Sequence, residues 1–478
     1  MNRAPTFVTN HQNGEFKLIA SIALDLGTTS IKAGLLDRDG VLGNIVAQPA
    51  PNITVNGGRY ESDALAYAAV ADQVLGECLA QAGSCKAFGL CCQRSSFLIW
   101  EKASGRPLTP LVSWQDSRGA SSCDALRPHE KSIRSLTGLP LTPYYFAPKL
   151  RIVLQENPEW RARLERGELL AGTLDTFLIW RWTGGKHFLT DASMAARTLL
   201  MDIRQQQWSR TLCDLFGIPM HILPLIRSSA GMGLRLENGL TLQASVGDQS
   251  AALIASVRED NGEALANLGT GCFVVRYLPK RDARSDGYLQ TLVYQDSAQH
   301  AHLAIEGTLN SVAAALAPYP VEECRAEDLA SDGIFCLAEP SGLGAPYFCS
   351  DLGVQFSRSV EHLSQRRIAV LLLEAVIFRV ARILEDFHRE SAIERVYLSG
   401  GLSESKCLQQ GIARCVPFDV YRLSQSESSL QGAALLAAGM APACCRASEK
   451  ISTTHDAAAL AEKYRRWKEW LDALLASR

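Results

Sequence analysis

An α/β chain of two similar domains is what the sequence predicts, and three observations carry that reading. The first is size: 478 residues and 52.1 kDa exceed what one hydrophobic core usually organises. The second is Leu18-Ile19-Ala20-Ser21-Ile22-Ala23-Leu24, a near-continuous apolar run typical of a strand buried on both faces. It ends at Asp25 and the turn Gly27-Thr28-Thr29, and Ile31 to Leu36 leads away as a second strand, closed by Asp37-Arg38-Asp39-Gly40. The third is a recurrence. Leu265–Leu268 meets Gly269-Thr270-Gly271, and Cys272–Tyr277 follows as a strand. The same strand–hydroxyl turn–strand device half a chain apart implies two related domains facing each other across a cleft.

The remaining elements follow in order. Residues 1–16, rich in Asn, Thr and Gly, read as a loose tail. Leu65, Ala69, Val74, Leu75 and Leu79 form a helical stripe within 62–83. Strands are expected at Ala87–Cys92 and Ser96–Trp100, and helices near 145–156, 171–182 and 208–215. A long amphipathic helix is expected over 366–388, then a strand, Val396-Tyr397-Leu398-Ser399, running into Gly400-Gly401. The Ala-rich stretch from Gly432 to Gly439 predicts a tightly packed helix, and 456–478 a charged helix on the outside. These place an N-terminal domain over 17–249, a C-terminal one over 250–443 and a helical tail over 444–478.

Composition narrows the function. Lys plus Arg (48) nearly balances Asp plus Glu (50), so no global field recruits nucleic acid or a membrane surface. The 14 cysteines show no C-x-x-C spacing and sit largely in apolar runs, which predicts buried thiols rather than zinc ligands or disulfides. The first residues lack the apolar core of a signal peptide. The longest apolar stretch, Ile368 to Val380, is interrupted by Glu374 and Arg379 and is too short to span a bilayer. A cytoplasmic protein is the expectation.

The hydroxyl turns carry the chemistry. Phosphate oxygens need donors, and Gly27, Thr28, Thr29 and Ser30 offer backbone N–H groups and hydroxyls at close range. Asp25 at the strand end would organise Mg²⁺, usually through water, and Lys32 could add charge. Gly269 and Thr270 offer the same donors from the second domain. A triphosphate clamped by both loops would allow phosphoryl transfer by positioning and charge neutralisation. Between the loops lies Val246-Gly247-Asp248-Gln249. Asp248 could take the proton of an attacking hydroxyl, or it could simply cap the helix that follows. The G-x-x-x-x-G-K-[ST] loop and the protein-kinase set are absent.

With these segments quoted, the chain resembles the FGGY carbohydrate kinases from about residue 18 to 440. Asp25 to Ser30 fits the family's first phosphate motif, and Asn267 to Phe273 the second. Gly400-Gly401-Leu402-Ser403-Glu404-Ser405 is similar to its adenosine motif, and Gly247-Asp248-Gln249 to its catalytic segment. Ser113 to Arg118, Gly172 to Trp180 and Gly342 to Tyr347 also agree. The resemblance implies two ribonuclease-H-like domains of the actin/hexokinase type that close over substrate, ATP with Mg²⁺, and a polyol or sugar acceptor. It further implies Asp248 as general base and Gly27, Thr28, Thr29, Ser30, Lys32, Gly269, Thr270, Gly400, Gly401 and Ser405 at the nucleotide.

By the same resemblance the acceptor pocket would use Arg94, Ser95, Trp114, Tyr144, Asp248 and Gln249, with Phe273 as an apolar wall. Polyol hydroxyls want bidentate donors while the C–H face wants an aromatic surface. Arg94 could instead be a surface ion pair, and the aromatics plain core. Ser95 stands where the glycerol-phosphorylating members carry Glu, so glycerol-like and pentulose acceptors are both open. The segment after Gly307 is short, which leaves the adenine pocket and any homodimer undefined. A non-catalytic sensor on the same fold and an acceptor-independent ATPase are the alternatives from other classes. Presence of Asp25 and Asp248 argues against the sensor, and a dedicated acceptor pocket against the ATPase.

Overall fold

The apolar run after Lys17 forms strand β1 (Ile19–Leu26), and its residues Ile22, Leu24 and Leu26 are fully buried. The computed structural model describes residues 18–259, 262–269, 271–278, 287–424, 427–444, 446–453 and 457–477. The expected 1–16 tail and Thr270 lie outside the described residues. The described residues fall into two compact units. Unit one takes those of 1–255, 290–303 and 427–445; unit two takes those of 256–289, 304–426 and 446–478. The single boundary expected at 249/250 is therefore replaced by several crossings, and the expected 444–478 tail is largely part of unit two.

In unit one, β1 continues through the turn into β2 (Ser30–Asp37) and then β3 (Leu42–Pro49), all antiparallel. Asp25 lies inside β1, opposite Lys32, so the strand runs one residue past its expected end. Helix α1 (Ala64–Leu79) is capped by Asp63, whose carboxylate accepts from the N–H groups of Leu65 and Ala66 at 2.9 Å. Strand β4 (Ala87–Cys92) returns parallel to β1, and β5 (Phe97–Glu101) joins a smaller sheet. Helix α2 (Phe146–Glu156) follows as expected. The helix expected over 171–182 is instead strand β6 (Leu169–Thr173) followed by helix α3 (Leu174–Trp182). Strands β7 (Ala230–Arg235) and β8 (Thr241–Gly247) complete a six-stranded sheet of order β7-β8-β4-β1-β2-β3, and α4 (Asp248–Ser256) leaves its end.

Unit two repeats the pattern. Strands β9 (Glu263–Leu268), β10 (Cys272–Tyr277) and β11 (Ala301–Leu309) are antiparallel neighbours. Helix α5 (Gln365–Glu390) precedes β12 (Arg395–Ser399), which lies parallel to β9. Helix α6 (Lys406–Cys415) precedes β13 (Asp419–Leu423), parallel to β12. The order β11-β10-β9-β12-β13 matches β3-β2-β1-β4-β8 strand for strand. This is the two-domain α/β fold of the actin/hexokinase type.

Helix α7 (Ser428–Ala438) returns to unit one and packs on β1, β4 and β8. The Ser21 hydroxyl donates to the Ala434 carbonyl at 2.7 Å, and a Cβ added at Gly432 would lie 1.8 Å from the Ala251 carbonyl oxygen. Helix α8 (Ala458–Ala476) buries Leu460, Tyr464, Trp467 and Leu471 along one face. Its Lys463 reaches Glu374 on α5 at 2.5 Å, so the helix is built into unit two rather than laid on it. Most described cysteines are buried. No described helix is long and apolar enough to cross a membrane.

Candidate active site

Three adjacent parallel strands of unit one end together. Leu26 of β1 is in register with Cys92 of β4, and Cys92 with Gly247 of β8. Their carboxyl ends present Gly27-Thr28-Thr29, Gln93-Arg94 and Asp248 side by side, the position where open α/β sheets bind ligands.

Asp248 is the first residue of α4, and Gly247 gives it room: a Cβ there would lie 2.9 Å from the Arg94 side chain. Its Oδ1 accepts from the Gln249 N–H at 2.7 Å and faces Arg94 Nε at 3.5 Å. The Asp248 side chain keeps 26% exposure while Arg94 keeps 5%, so the carboxylate can be approached and its guanidinium partner is enclosed. Burial raises the Asp248 carboxyl above the usual carboxylate range, opposed by Arg94, the Gln249 N–H and Arg197. Asp25 is pushed up to about 7, chiefly by burial and then by the negative charge of Asp248, with the Cys91 thiol and Lys32 pulling the other way. Its Oδ1 is buried without a hydrogen-bond partner. An acid oxygen left in that state fits a cation site. Among the described residues no cluster of three or more His, Cys, Asp or Glu side chains could hold a metal.

A hydrogen-bond network joins the hairpin tip to the acceptor residues. The Trp114 indole N–H donates to Thr28 Oγ1 at 2.8 Å, and the Thr28 hydroxyl donates to Gln93 Oε1 at 3.1 Å. Gln93 Nε2 donates to the Tyr67 hydroxyl at 3.3 Å, which donates to the Gly27 carbonyl at 2.6 Å. The Ser96 hydroxyl also donates to Gln93 Oε1 at 3.0 Å and accepts from the Trp114 N–H at 2.9 Å. Thr28 thus spends its hydroxyl proton internally. Gly27 has no room for a side chain, since a Cβ would sit 2.7 Å from the Ser30 carbonyl oxygen. The Trp114 and Tyr144 rings lie 5.3 Å apart and line one recess with Tyr60, Gln115, Thr142 and Pro143. The turn after Trp114 is held by Asp116, fully enclosed, whose Oδ1 pairs with Arg118 Nε at 2.8 Å.

Unit one therefore brings together Asp25, Gly27, Thr28, Arg94, Trp114, Tyr144, Asp248 and Gln249. Ser95 is buried, has φ +66°, and donates its hydroxyl to the Arg197 carbonyl at 3.0 Å. The Lys32 ammonium is engaged by Glu427 at 2.7 Å, which neutralises the charge expected of it at the nucleotide. Thr29 and Ser30 give their carbonyls to backbone bonds with Ala50 and Gly27. In unit two, Phe273 on β10 is in register with Asn267, and Gly269 follows the last residue of β9. Gly400 follows β12 at φ +85°, where a Cβ would lie 2.5 Å from the Leu268 carbonyl oxygen. Gly401 opens a short 3₁₀ turn, and the Ser405 hydroxyl caps α6 by accepting from Leu408 N–H. Gln93, Tyr67 and Arg197 carry no signal of their own in the sequence, apart from Gln93 standing beside Arg94.

Comparison with known proteins matches the N-terminal domain of the FGGY family of carbohydrate kinases over residues 20–262, and its C-terminal domain over 264–441. The chain belongs to that family. It is an ATP-dependent carbohydrate or polyol kinase. It is 31% identical to a glycerol kinase of Shewanella baltica over 444 residues, covering 87% of this chain and 89% of that protein. It is 32% identical to glycerol kinase 2 of Streptomyces coelicolor, with 88% of each chain covered. Among solved structures it is similar to Plasmodium falciparum glycerol kinase with ADP (TM-score 0.83, 22% identity, 96% of this chain and 99% of that one). A xylulose kinase from Lactobacillus acidophilus superposes with TM-score 0.80 at 19% identity, covering 96% and 98%. At these identities the two structures speak to the fold.

Proposed function

We propose that this kinase transfers the γ-phosphoryl group of ATP to a hydroxyl of a small polyol or ketose, with Asp248 as general base. The observation that carries the reading is Asp248 at the shared carboxyl end of three parallel strands, partly open and braced by Arg94 at 3.5 Å. In the step proposed, the acceptor O–H gives its proton to the Asp248 carboxylate as its oxygen bonds to the γ-phosphorus. The bond from that phosphorus to the bridging oxygen breaks, and ADP leaves. Arg94 favours the ionised form of Asp248 against the effect of burial and orients it, while the Trp114 and Tyr144 faces receive the C–H side of the acceptor. Asp25 would hold Mg²⁺, which supplies charge neutralisation at the phosphates when bound.

For the nucleotide, the proposed groups in unit one are the backbone N–H groups of Gly27, Thr28, Thr29 and Ser30; those proposed in unit two are Gly269, Gly400, Gly401 and Ser405, with Thr270 outside the described residues. Lys32, already paired with Glu427, has a lesser share. Phe273 is proposed as an apolar wall for the acceptor. A cytoplasmic setting is supported by the many buried thiols. The homodimer left open by the sequence is read out by light scattering.

Ser95 favours an acceptor other than glycerol as the second reading. Its hydroxyl is turned onto the Arg197 carbonyl, so position 95 offers no carboxylate to a substrate hydroxyl. A coupled ADP-release screen over glycerol, erythritol, xylulose, ribulose and xylitol tests both. Turnover dependent on one of these supports the kinase reading and names its acceptor; ADP release indifferent to all of them contradicts it.

A further inference from the structure

Lys149 on α2 is a fully enclosed lysine that the proposed reaction does not use. Its Nζ donates to the Ser95 carbonyl at 2.9 Å and to the Ser113 carbonyl at 2.9 Å. Those carbonyls belong to separate stretches of chain, one just after Arg94 and the other just before Trp114. The helix bearing Lys149 starts directly after Tyr144 and Tyr145. One ammonium therefore ties together the backbone beneath three acceptor residues.

A methionine could fill such a site without the desolvation cost of a buried cation, so packing alone does not account for a lysine. Burial weakens its hold on the proton, pushing it down to about 7, with Asp116 favouring the charge and Arg118 opposing it. The Phe97 ring, centroid 5.9 Å from Nζ, lies alongside. The strain at Ser95, whose φ is +66°, is held at the same point.

We infer that Lys149 is a positioning residue for the acceptor: it clamps the Ser95 and Ser113 carbonyls together and thereby sets Arg94 against Trp114. The inference rests on the acceptor site proposed above. Lys149→Met leaves the nucleotide contacts in place, so the ATP KM should stay within about threefold of wild type, whereas kcat should fall as Arg94 loses its alignment with Asp248. The acceptor KM should rise roughly 10-fold or more, as expected when contacts that hold the bound acceptor are lost. Hydrogen exchange of segments 93–97 and 111–116 should quicken while the rest of the chain is unchanged. Lys149→Arg, which keeps the charge and donors, should recover part of the acceptor KM, and it serves as the test variant if Lys149→Met does not accumulate folded.

An unchanged acceptor KM, with activity falling only as the folded fraction falls, overturns the assignment. So does failure of both variants to fold, which would make Lys149 a residue of the fold alone. If the wild-type chain phosphorylates no member of the acceptor panel, it is the reading of the site that fails. The exchange result then decides by itself whether the clamp exists.

Discussion

Two carboxyl groups at one sheet end, both raised above the ordinary range, set the behaviour of the site at the level of single residues. Asp25 is pushed up to about 7, so as pH falls through that value it takes a proton and its oxygens lose their claim on a cation. Apparent Mg²⁺ affinity in the kinase assay should therefore be weaker at about pH 6 than at about pH 8; equal affinities would count against Asp25 as the metal residue. The same shift has a stability cost of defined sign. An unfolded Asp titrates near about 4. Between that value and about 7 the folded chain holds the proton that the unfolded chain has lost, so stability falls as pH rises. Asp25→Asn should melt higher than wild type at about pH 8, with the gap closing toward about pH 5. Asp248, Arg94 and Trp114 were legible because each stands in a short motif with a chemical reason. Gln93 and Tyr67 were not, because their role is a chain of hydrogen bonds linking positions as far apart as Gly27 and Trp114.

At the level of elements, α7 shows how small residues set a distance. Gly432 lies so close to α4 that a Cβ would meet the Ala251 carbonyl at 1.8 Å, and Gly89 on β4 would meet the Ala433 carbonyl at 2.3 Å. Gly432→Val must push α7 away from α4, at a cost of about 1–3 kcal/mol. A melting temperature within error of wild type would show that α7 can shift freely. The Ala-rich sequence of this helix, β4 and the β8–α4 junction were readable from local pattern. Strand β6 was absorbed into a helix because the mostly apolar stretch Leu169 to Trp182 has no proline between its strand and helix halves, and period alone does not separate them there. The buried stripe Leu460, Tyr464, Trp467 and Leu471 was masked by the charge density of α8.

For the whole molecule, the repeat of strand order in the two units was legible from two glycine-threonine turns half a chain apart. The return of 290–303 and 427–445 to unit one was not, because contacts between distant segments leave no local periodicity. This discontinuity has a consequence for folding. A fragment of residues 1–262, which contains the span 20–262 matching the family's N-terminal domain, lacks α7 and so leaves the face of β1, β4 and β8 uncovered. It should show no cooperative melt on its own, and addition of α7 as a peptide should bind it; a cooperative transition in the fragment alone would mean that α7 is dispensable to unit one.

In the reaction proposed, Asp248 accepts the proton of the incoming hydroxyl. Asp248→Asn keeps the size of the side chain and removes its basicity. In the coupled assay with the preferred acceptor, kcat should drop by roughly 10²- to 10⁴-fold while the variant stays folded. Wild-type turnover by Asp248→Asn would contradict the account.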